Sequence, residues 1–424
     1  MKSLARRINK YIYYGWVIVF ISAVGLFFSA PGQTYSISVF KNIYQEEFNV
    51  SSSMMSLGYT LATILSGSLL VIIGRFVDNY GQRLMMMIVG ILLALTTFYH
   101  SFVINVAMIF SGFFFLRFFG QGSMTLIPHS LVPQWFEKKR ALALSLETFG
   151  ALIATMTVPA FNYWLITQVG WQNAWRVWGV VLLVVFVPMT YILVVNKPSD
   201  IGLTIDNGKI KNDEDAKKDA QKLEDESFTL KGALQTKEFW MIGLMGTVVP
   251  LFSTGVTFHF FDMMALRNVS NAHASFIIGL IAFPAFFMPF VARLLIDRYP
   301  MKYIFFGALI MIFLAMIWLA FFVNGVISAV GFILFYGVAV AVKMVTLNTI
   351  WPTYFGRKYL GSIRGATTVF MVLSTALGPL PLGIAYDLTG SFNIAIYIMM
   401  GHALIAMLFA LSIRRPHKVQ TELE

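Results

Sequence analysis

Long apolar stretches, each of about 20 residues, run through this chain with only short polar breaks between them. A stretch of this length crosses the hydrocarbon core of a bilayer as a helix, because backbone groups in lipid must be satisfied within their own segment. The stretches do not alternate apolar and polar residues, which excludes a membrane β-barrel. Only 12% of the residues are charged, whereas a water-soluble domain is nearer a quarter charged. The sequence therefore predicts an all-α integral membrane protein.

Twelve such stretches predict twelve transmembrane helices. They lie at about 14–39, 53–74, 84–103, 105–128, 141–166, 173–195, 237–261, 273–296, 303–323, 326–350, 363–386 and 392–413. Basic residues precede the first stretch, as in a signal peptide, but no small-residue cleavage site follows it. We therefore interpret it as an uncleaved first helix.

One long polar segment, at 197–236, divides the stretches into two sets of six. Its charge run at 211–227 has no aromatic residue and predicts a solvated linker. The expected domains are thus an N-terminal six-helix half (1–196), a cytoplasmic linker and a C-terminal six-helix half (237–424).

Lysine and arginine fall in alternate connections between the predicted helices. The basic positions are Arg75 and Arg83, Lys138 to Arg140, the linker, Arg298 and Lys302, Arg357 and Lys358, and Arg414 to Lys418. The opposite connections hold almost none beyond Lys41 and Arg267. By the positive-inside rule, we expect the basic loops and both termini to face the cytoplasm. We expect the protein to lie in the cytoplasmic (inner) membrane. The net charge of +11 is therefore interpreted as a topology signal, and no nucleic-acid partner is expected.

Two loop motifs recur at a fixed distance along the chain. D-N-Y-G-Q-R at 78–83 pairs with D-R-Y-P-M-K at 297–302, and P-Q-W-F-E-K-K at 133–139 pairs with P-T-Y-F-G-R-K at 352–358. Both pairs are separated by 219 residues. A constant offset predicts two parallel six-helix repeats, an arrangement that suits alternating access to a site near the membrane midplane.

The segment G-R-F-V-D-N-Y-G-Q-R at 74–83 resembles the loop signature of the major facilitator superfamily between its second and third helices. This resemblance implies gating roles for Gly74, Asp78 and Arg83, and for Asp297 and Arg298 in the second half. We expect Gly74 to allow close helix approach. We expect Asp78 to cap a helix end and to pair with a cation from the other half as a cytoplasmic latch.

Further motifs resemble the monocarboxylate-porter branch of that superfamily and its oxalate/formate-exchanger relatives. They are Y-G-W at 14–16, W-F-E-K-K-R-A-L-A-L at 135–144, K-P-S-D-I-G-L at 197–203, Y-F-G-R-K-Y-L-G-S-I-R-G at 354–365, and G-P-L-P-L-G and D-L-T-G around helix eleven. Mammalian-type porters also carry an Asp and an Arg within helix eight, but 281–291 has no charge here. This departure weighs against a carboxylate site on helix eight and against lactate-type substrates.

Arg117, Glu147 and Lys343 are charged residues well inside predicted spans, where a charge requires a partner or a function. Arg117 lies in helix four and Glu147 in helix five, and these antiparallel neighbours could bring the two together, as a coupling pair or as a structural ion pair. Lys343 in helix ten has no acidic residue within two turns. Pro352 is nine residues away, about 13 Å along a helix, which disfavours snorkelling and favours contact with an anionic ligand.

Three less polar positions complete the candidate site. His259, near the outer end of helix seven, is a candidate for substrate binding and proton coupling, because histidine titrates near neutral pH. A packing role is the alternative. Gln33 and Tyr35 follow Pro31 and Gly32 in a broken part of helix one, and broken helices often line transport cavities.

These residues predict a secondary active transporter, a proton symporter of a small organic anion. Arg117 and Lys343 would hold the anion, and Glu147 or His259 would carry the proton. Two alternatives stay open: an exporter of a larger amphipathic compound such as a siderophore or drug, and a membrane sensor that kept the fold without transport. No protease, hydrolase or ATP-binding motif is present, and the sequence has no cysteine. We expect no enzyme activity, no metal and no cofactor, and a monomer in the lipid bilayer.

Overall fold

The computed structural model describes residues 2–207, 227–356 and 359–416, without the side chains of residues 2–4, 207, 289, 293, 297 and 361. Every regular element in this part of the chain is helical. Eleven of the described helices are long and apolar enough to cross a membrane. One of them, Arg140–Leu193, has 54 residues, about 80 Å at 1.5 Å per residue, against a hydrocarbon core of about 30 Å. It is interrupted at Gly170, whose φ of 80° is not helical, so it supplies two spans. The total is consistent with the predicted twelve.

We number the spans α1 to α12 in chain order. They are α1 Gly15–Phe48, α2 Ser52–Tyr80, α3 Gln82–His100, α4 Val106–Gln134, α5 140–169, α6 171–193, α7 Lys237–Phe258, α8 Asn271–Ile296, α9 Met301–Phe322, α10 Val326–Phe355, α11 Ser362–Thr389 and α12 Asn393–Ser412. A short helix, Phe260–Ala265, follows α7. Several spans extend beyond their predicted cytoplasmic ends, so that the D-N-Y and P-T-Y-F motifs belong to the last turns of α2 and α10.

Polar residues before the spans determine where several helices begin. The hydroxyl of Ser51 accepts the Met54 N–H at 3.2 Å, and the Asn105 side chain accepts the Met108 N–H at 2.9 Å. Such N-caps satisfy donors that the first helical turn leaves open. Short serine- or asparagine-containing breaks between apolar stretches therefore define the starts of α2 and α4.

Two irregular segments face each other inside the first half. α1 is broken by a 3₁₀ turn at Ala30–Gly32, as the Pro-Gly pair predicts. α4 contains a π-helical segment, Leu116–Ser123. A side chain at position 32 would collide with the Leu116 carbonyl oxygen, so glycine is required for this backbone approach. π-helical segments inside longer helices frequently mark functional sites.

The backbone contacts divide the chain into two compact units. Unit 1 comprises residues 1–210, 257–265 and 270–282, and unit 2 comprises residues 211–256, 266–269 and 283–424. The start of α8 belongs to unit 1 because Gly279 lies against the Met156 backbone, where a Cβ would collide. The division of the sequence into the halves 1–196 and 237–424 stays a prediction.

Candidate functional site

Arg117 lies in the π-helical segment of α4 and is only 2% exposed. Its Nε donates to Thr63 Oγ1 at 3.1 Å, and its guanidinium lies 4.8 Å from the centre of the Tyr59 ring. Nη1 makes longer contacts with the Gly32 carbonyl at 3.4 Å and with Thr34 Oγ1 at 3.5 Å. Every one of these partners is neutral. Among the described residues, no carboxylate lies within ion-pair distance of Arg117, so the buried site keeps its positive charge.

The broken part of α1 contributes to this site through a residue that the sequence did not single out. Thr34, rather than its neighbours, approaches the guanidinium and also bonds to the Tyr59 hydroxyl at 2.6 Å. Gln33 is half-buried and donates to Ser29 Oγ at 3.0 Å. Tyr35 is also half-buried. Both predicted wall residues therefore flank the arginine site without a hydrogen bond to the arginine.

Tyr59 and Thr63 were also missed by sequence reasoning. They are four residues apart on α2, which places both side chains on one helix face. A tyrosine and a threonine at this spacing in an otherwise apolar span were a signal that could have located the partners of Arg117.

Lys343 is a buried cation in α10 of unit 2 and, like Arg117, is 2% exposed. Its Nζ donates to the Gly246 carbonyl of α7 at 2.6 Å. This bond points into the protein, so the snorkelling alternative is wrong. No described carboxylate lies within ion-pair distance of the ammonium.

The carbonyl that receives Lys343 is available because of a proline one turn further along α7. In a regular helix the N–H of residue 250 would bond to the carbonyl of residue 246. Pro250 has no N–H, so the Gly246 carbonyl loses its helical partner. The sequence signal was present as a glycine and a proline four residues apart, but it required knowing that α7 and α10 are in contact.

Glu147 does not pair with Arg117, and the predicted meeting of these two residues is wrong. Arg117 lies near the middle of α4, whereas Glu147 lies near the start of α5, level with the end of α4. Glu147 instead lies 3.2 Å from His129, measured from Oε2 to Nδ1. This is an ion-pair distance, but the geometry is not that of a hydrogen bond, and neither carboxylate oxygen has a hydrogen-bond partner among the described residues. Glu147 is fully buried and His129 is about half exposed.

His259 belongs to a charged cluster that we call the Lys41 triad, consisting of Lys41, His259 and Asp262. Lys41 of α1 forms an ion pair with Asp262 of the short helix Phe260–Ala265. His259 Nδ1 lies 3.3 Å from Lys41 Nζ and 3.4 Å from Asp262 Oδ2, and Nε2 lies 3.0 Å from Ser56 Oγ of α2. All of these residues belong to unit 1.

Asp262 lies beyond the end of α7 and is charged at physiological pH. Burial raises the pKa of its carboxyl, but the nearby Lys41 ammonium outweighs this effect and lowers the pKa to about 2. Sequence reasoning passed over Lys41 and Asp262. Two sequence features could have indicated the Lys41 triad. Lys41 is an exception to the basic-loop pattern, and Asp262 follows His259 at a spacing of one helical turn.

Among the residues predicted to gate the protein, Gly74 and Asp78 need correction. A Cβ added at Gly74 would meet nothing within 4 Å, so the expected close helix approach is absent. The N-cap position of α3 is Gly81, so Asp78 does not cap it. Asp78 is exposed and has no hydrogen bond or ion pair among the described residues. Its latch role stays a prediction.

Arg83 is held inside unit 1. Its guanidinium donates to the Tyr191 carbonyl at 2.7 Å and lies 4.7 Å from that ring, and its backbone N–H donates to Asn196 at 2.8 Å. It thereby fastens the start of α3 to the end of α6. Arg298 is exposed, and the side chain of Asp297 lies outside the described structure. Their gating roles stay predictions.

Long apolar helices with buried ionisable side chains define a multi-pass membrane protein. The sequence profile of the Major Facilitator Superfamily matches residues 22–379, and the chain belongs to this superfamily. Human monocarboxylate transporter 14 is 28% identical over 176 residues, which cover 40% of this chain and 33% of that protein. The chain thus matches about a third of the length of the curated relatives.

Two solved structures show the same fold. A D-xylose–proton symporter superposes with a TM-score of 0.69 at 16% identity, covering 95% of this chain and 98% of that one. A bacterial homologue of the human lysosomal transporter Spinster, in an inward-facing and occupied conformation, superposes with a TM-score of 0.68 at 12% identity, covering 94% and 96%. The superfamily membership predicted from the loop motifs is confirmed.

Proposed function

We propose that this transporter moves a small, monocarboxylate-like organic anion together with protons across the cytoplasmic membrane, by alternating access of its two halves. The observation that carries the proposal is the pair of buried cations, Arg117 in unit 1 and Lys343 in unit 2. Neither has a carboxylate partner among the described residues. A buried charge without a counter-ion is strongly unfavourable. A carboxylate ligand would supply the missing charge.

Both cations retain donors that a ligand can use. Lysine has three N–H donors, and the hydrogen bond of Lys343 to the Gly246 carbonyl uses one. The hydrogen bonds of Arg117 involve Nε and Nη1, which leaves Nη2 for a carboxylate oxygen. Hydrogen bonds between such cations and a carboxylate are about twice as strong as neutral ones.

The remaining roles follow from the positions of the other candidates. Gln33 and Tyr35 flank the arginine site as wall residues, and Glu147 and His259 are the proton-carrying groups. Further support comes from the name of the human relative, a monocarboxylate transporter, and from the fold shared with a proton symporter. We further propose a monomer with both termini in the cytoplasm.

The first experiment measures the melting temperature of the detergent-purified protein with monocarboxylates, dicarboxylates, amino acids and hydrophobic cations. A ligand at 100 times its Kd stabilises the folded protein by about 2.7 kcal/mol. We expect a small carboxylate to raise the melting temperature of the wild type but not that of Lys343→Met. Lys302→Met, at the cytoplasmic start of α9, is the matched control and should respond like the wild type.

The same panel tests the exporter alternative. If only bulky amphipathic or cationic compounds raise the melting temperature, the anion proposal is wrong. If a carboxylate stabilises Lys343→Met as well as it stabilises the wild type, Lys343 does not bind it. Binding without accumulation in proteoliposomes would instead support the sensor alternative.

A further inference from the structure

The Lys41 triad joins the end of α1 to the short helix Phe260–Ala265, and we propose that it is a proton-operated latch. In this proposal protonated His259 takes Asp262 from Lys41 and thereby releases α1 from the short helix. The inference deepens the proposed function, because it states how a proton would change the conformation of a symporter. Only the role of the latch in transport rests on the proposed function.

The hydrogen bonds around His259 define which nitrogen carries its proton. Ser56 Oγ donates its single proton to the Ser52 carbonyl at 2.8 Å. It can therefore only accept from His259 Nε2, which lies 3.0 Å away. Nε2 thus carries a hydrogen, and in neutral histidine the other nitrogen, Nδ1, is an acceptor. The Lys41 ammonium, 3.3 Å from Nδ1, supplies a donor to it.

A second proton on the imidazole changes this arrangement. It must bind at Nδ1, since Nε2 is already protonated. Nδ1–H would then face the Lys41 ammonium at 3.3 Å, donor against donor and cation against cation. The same Nδ1 is only 3.4 Å from Asp262 Oδ2. Asp262 can therefore pair with Lys41 when His259 is neutral, or with His259 when it is charged, but a close contact of all three is unfavourable.

Asp262 is the partly exposed member of the Lys41 triad. Lys41 and His259 are fully buried, whereas Asp262 is 15% exposed. A proton from water would bind Asp262 Oδ2 and pass to Nδ1 of His259, after which the carboxylate is again charged. The covalent change is one O–H bond broken and one N–H bond formed, with no other reactant.

Other titratable groups on the neighbouring elements are engaged elsewhere. The short helix packs against the second part of α1 and the start of α8. On α1, Tyr44 bonds to His100 and Trp175, Glu47 accepts from Trp171, and Glu46 is exposed. On α8, His273 bonds to Ser270.

The pKa of Asp262, about 2, keeps its carboxylate charged above pH 5. Histidine is the side chain of the triad that ordinarily titrates between about pH 5 and 8.

The natural absence of cysteine allows a direct test. Spin labels are placed at two exposed positions, Glu46→Cys on α1 and Ala265→Cys at the end of the short helix. Pulsed electron paramagnetic resonance then measures the distance between the labels in lipid nanodiscs without substrate. We expect a longer-distance population that grows as the pH falls from about 8 to about 5.

Substitutions in the triad separate the latch from a general effect of pH. His259→Asn keeps an acceptor toward Lys41 but cannot be protonated, so the distance should stay at its high-pH value. Lys41→Met removes the competing cation, so the distance should no longer depend on pH. Ser56→Ala, which preserves the ion pair, is the second variant and should shift the midpoint pH. Melting curves check that each variant is folded.

Two results would overturn the latch: a wild-type distance that does not change with pH, or a His259→Asn variant that still changes with pH. Because no substrate is present, a wrong substrate class leaves this measurement intact. Conversely, proton-driven anion uptake by a protein whose label distance ignores pH would leave the proposed function standing and the latch rejected.

Discussion

Arg117 and Lys343 are equally buried, but their surroundings differ in kind. The guanidinium has two threonine hydroxyls, a backbone carbonyl and an aromatic face around it. Among the residues that the structure describes, the ammonium has one hydrogen-bond partner, the Gly246 carbonyl. Permanent dipoles therefore accommodate most of the charge of Arg117, whereas the charge of Lys343 is less well accommodated. The first cation therefore also holds elements of unit 1 together, and under the proposed function the second is the one that binds the ligand.

The largest expected effect is on transport. Lys343→Met should reduce uptake of the stabilising carboxylate by about 100-fold, because a hydrogen bond to a charged group contributes about 1.5–3 kcal/mol and the ligand charge would lose its counter-ion. Uptake is measured in proteoliposomes with an inward proton gradient. Lys302→Met should transport normally. Uptake by Lys343→Met within a few-fold of wild type would remove the lysine from the site.

The next effect is on the melting temperature. Here the substitution of Arg117 should be more harmful than that of Lys343. Arg117→Met leaves polar groups of α1 and α2 without their donor, and each buried unsatisfied group costs about 1–3 kcal/mol. We expect a clearly lower melting temperature. Lys343→Met removes a poorly accommodated charge and should leave the melting temperature unchanged or raise it, since apolar replacement of buried charge is often neutral or stabilising.

Arg176 offers a matched control for the arginine. It lies in unit 1, donates to the Ser101 hydroxyl at 3.3 Å and lies 5.1 Å from the Phe102 ring, but it is exposed. Arg176→Met should therefore lower the melting temperature much less than Arg117→Met. Equal losses for the two arginines, or a larger loss for Lys343→Met, would show that the two buried cations do not have the separate roles assigned here.

The general architecture could be predicted from the sequence because the bilayer imposes a simple rule. A stretch of about 20 apolar residues has to be a helix, and the loop motif at 74–83 resembled the signature of the superfamily. The break in α1 was likewise predictable, because Pro31 and Gly32 stand together in an apolar segment.

The contacts between helices could not be predicted in the same way. The sequence located Arg117, Glu147 and Lys343 as buried ionisable groups, and all three are buried. It did not give their partners, because helix rotation and depth are determined by packing rather than by hydropathy. Glu147 was predicted to meet Arg117, but its position near the start of α5 places it beside His129.

The smallest expected effect tests why Lys343 has even one partner. Pro250→Ala restores an N–H one turn after Gly246, and this donor competes with the lysine for the carbonyl. One hydrogen bond has a net value of about 1 kcal/mol, so the KM for the carboxylate should change by about fivefold. The melting temperature should rise, because proline inside a helix is unfavourable. Pro159→Ala in α5 of unit 1 is the control and should leave the KM unchanged. If Pro250→Ala also leaves the KM unchanged, the Gly246 carbonyl does not position Lys343 for ligand binding.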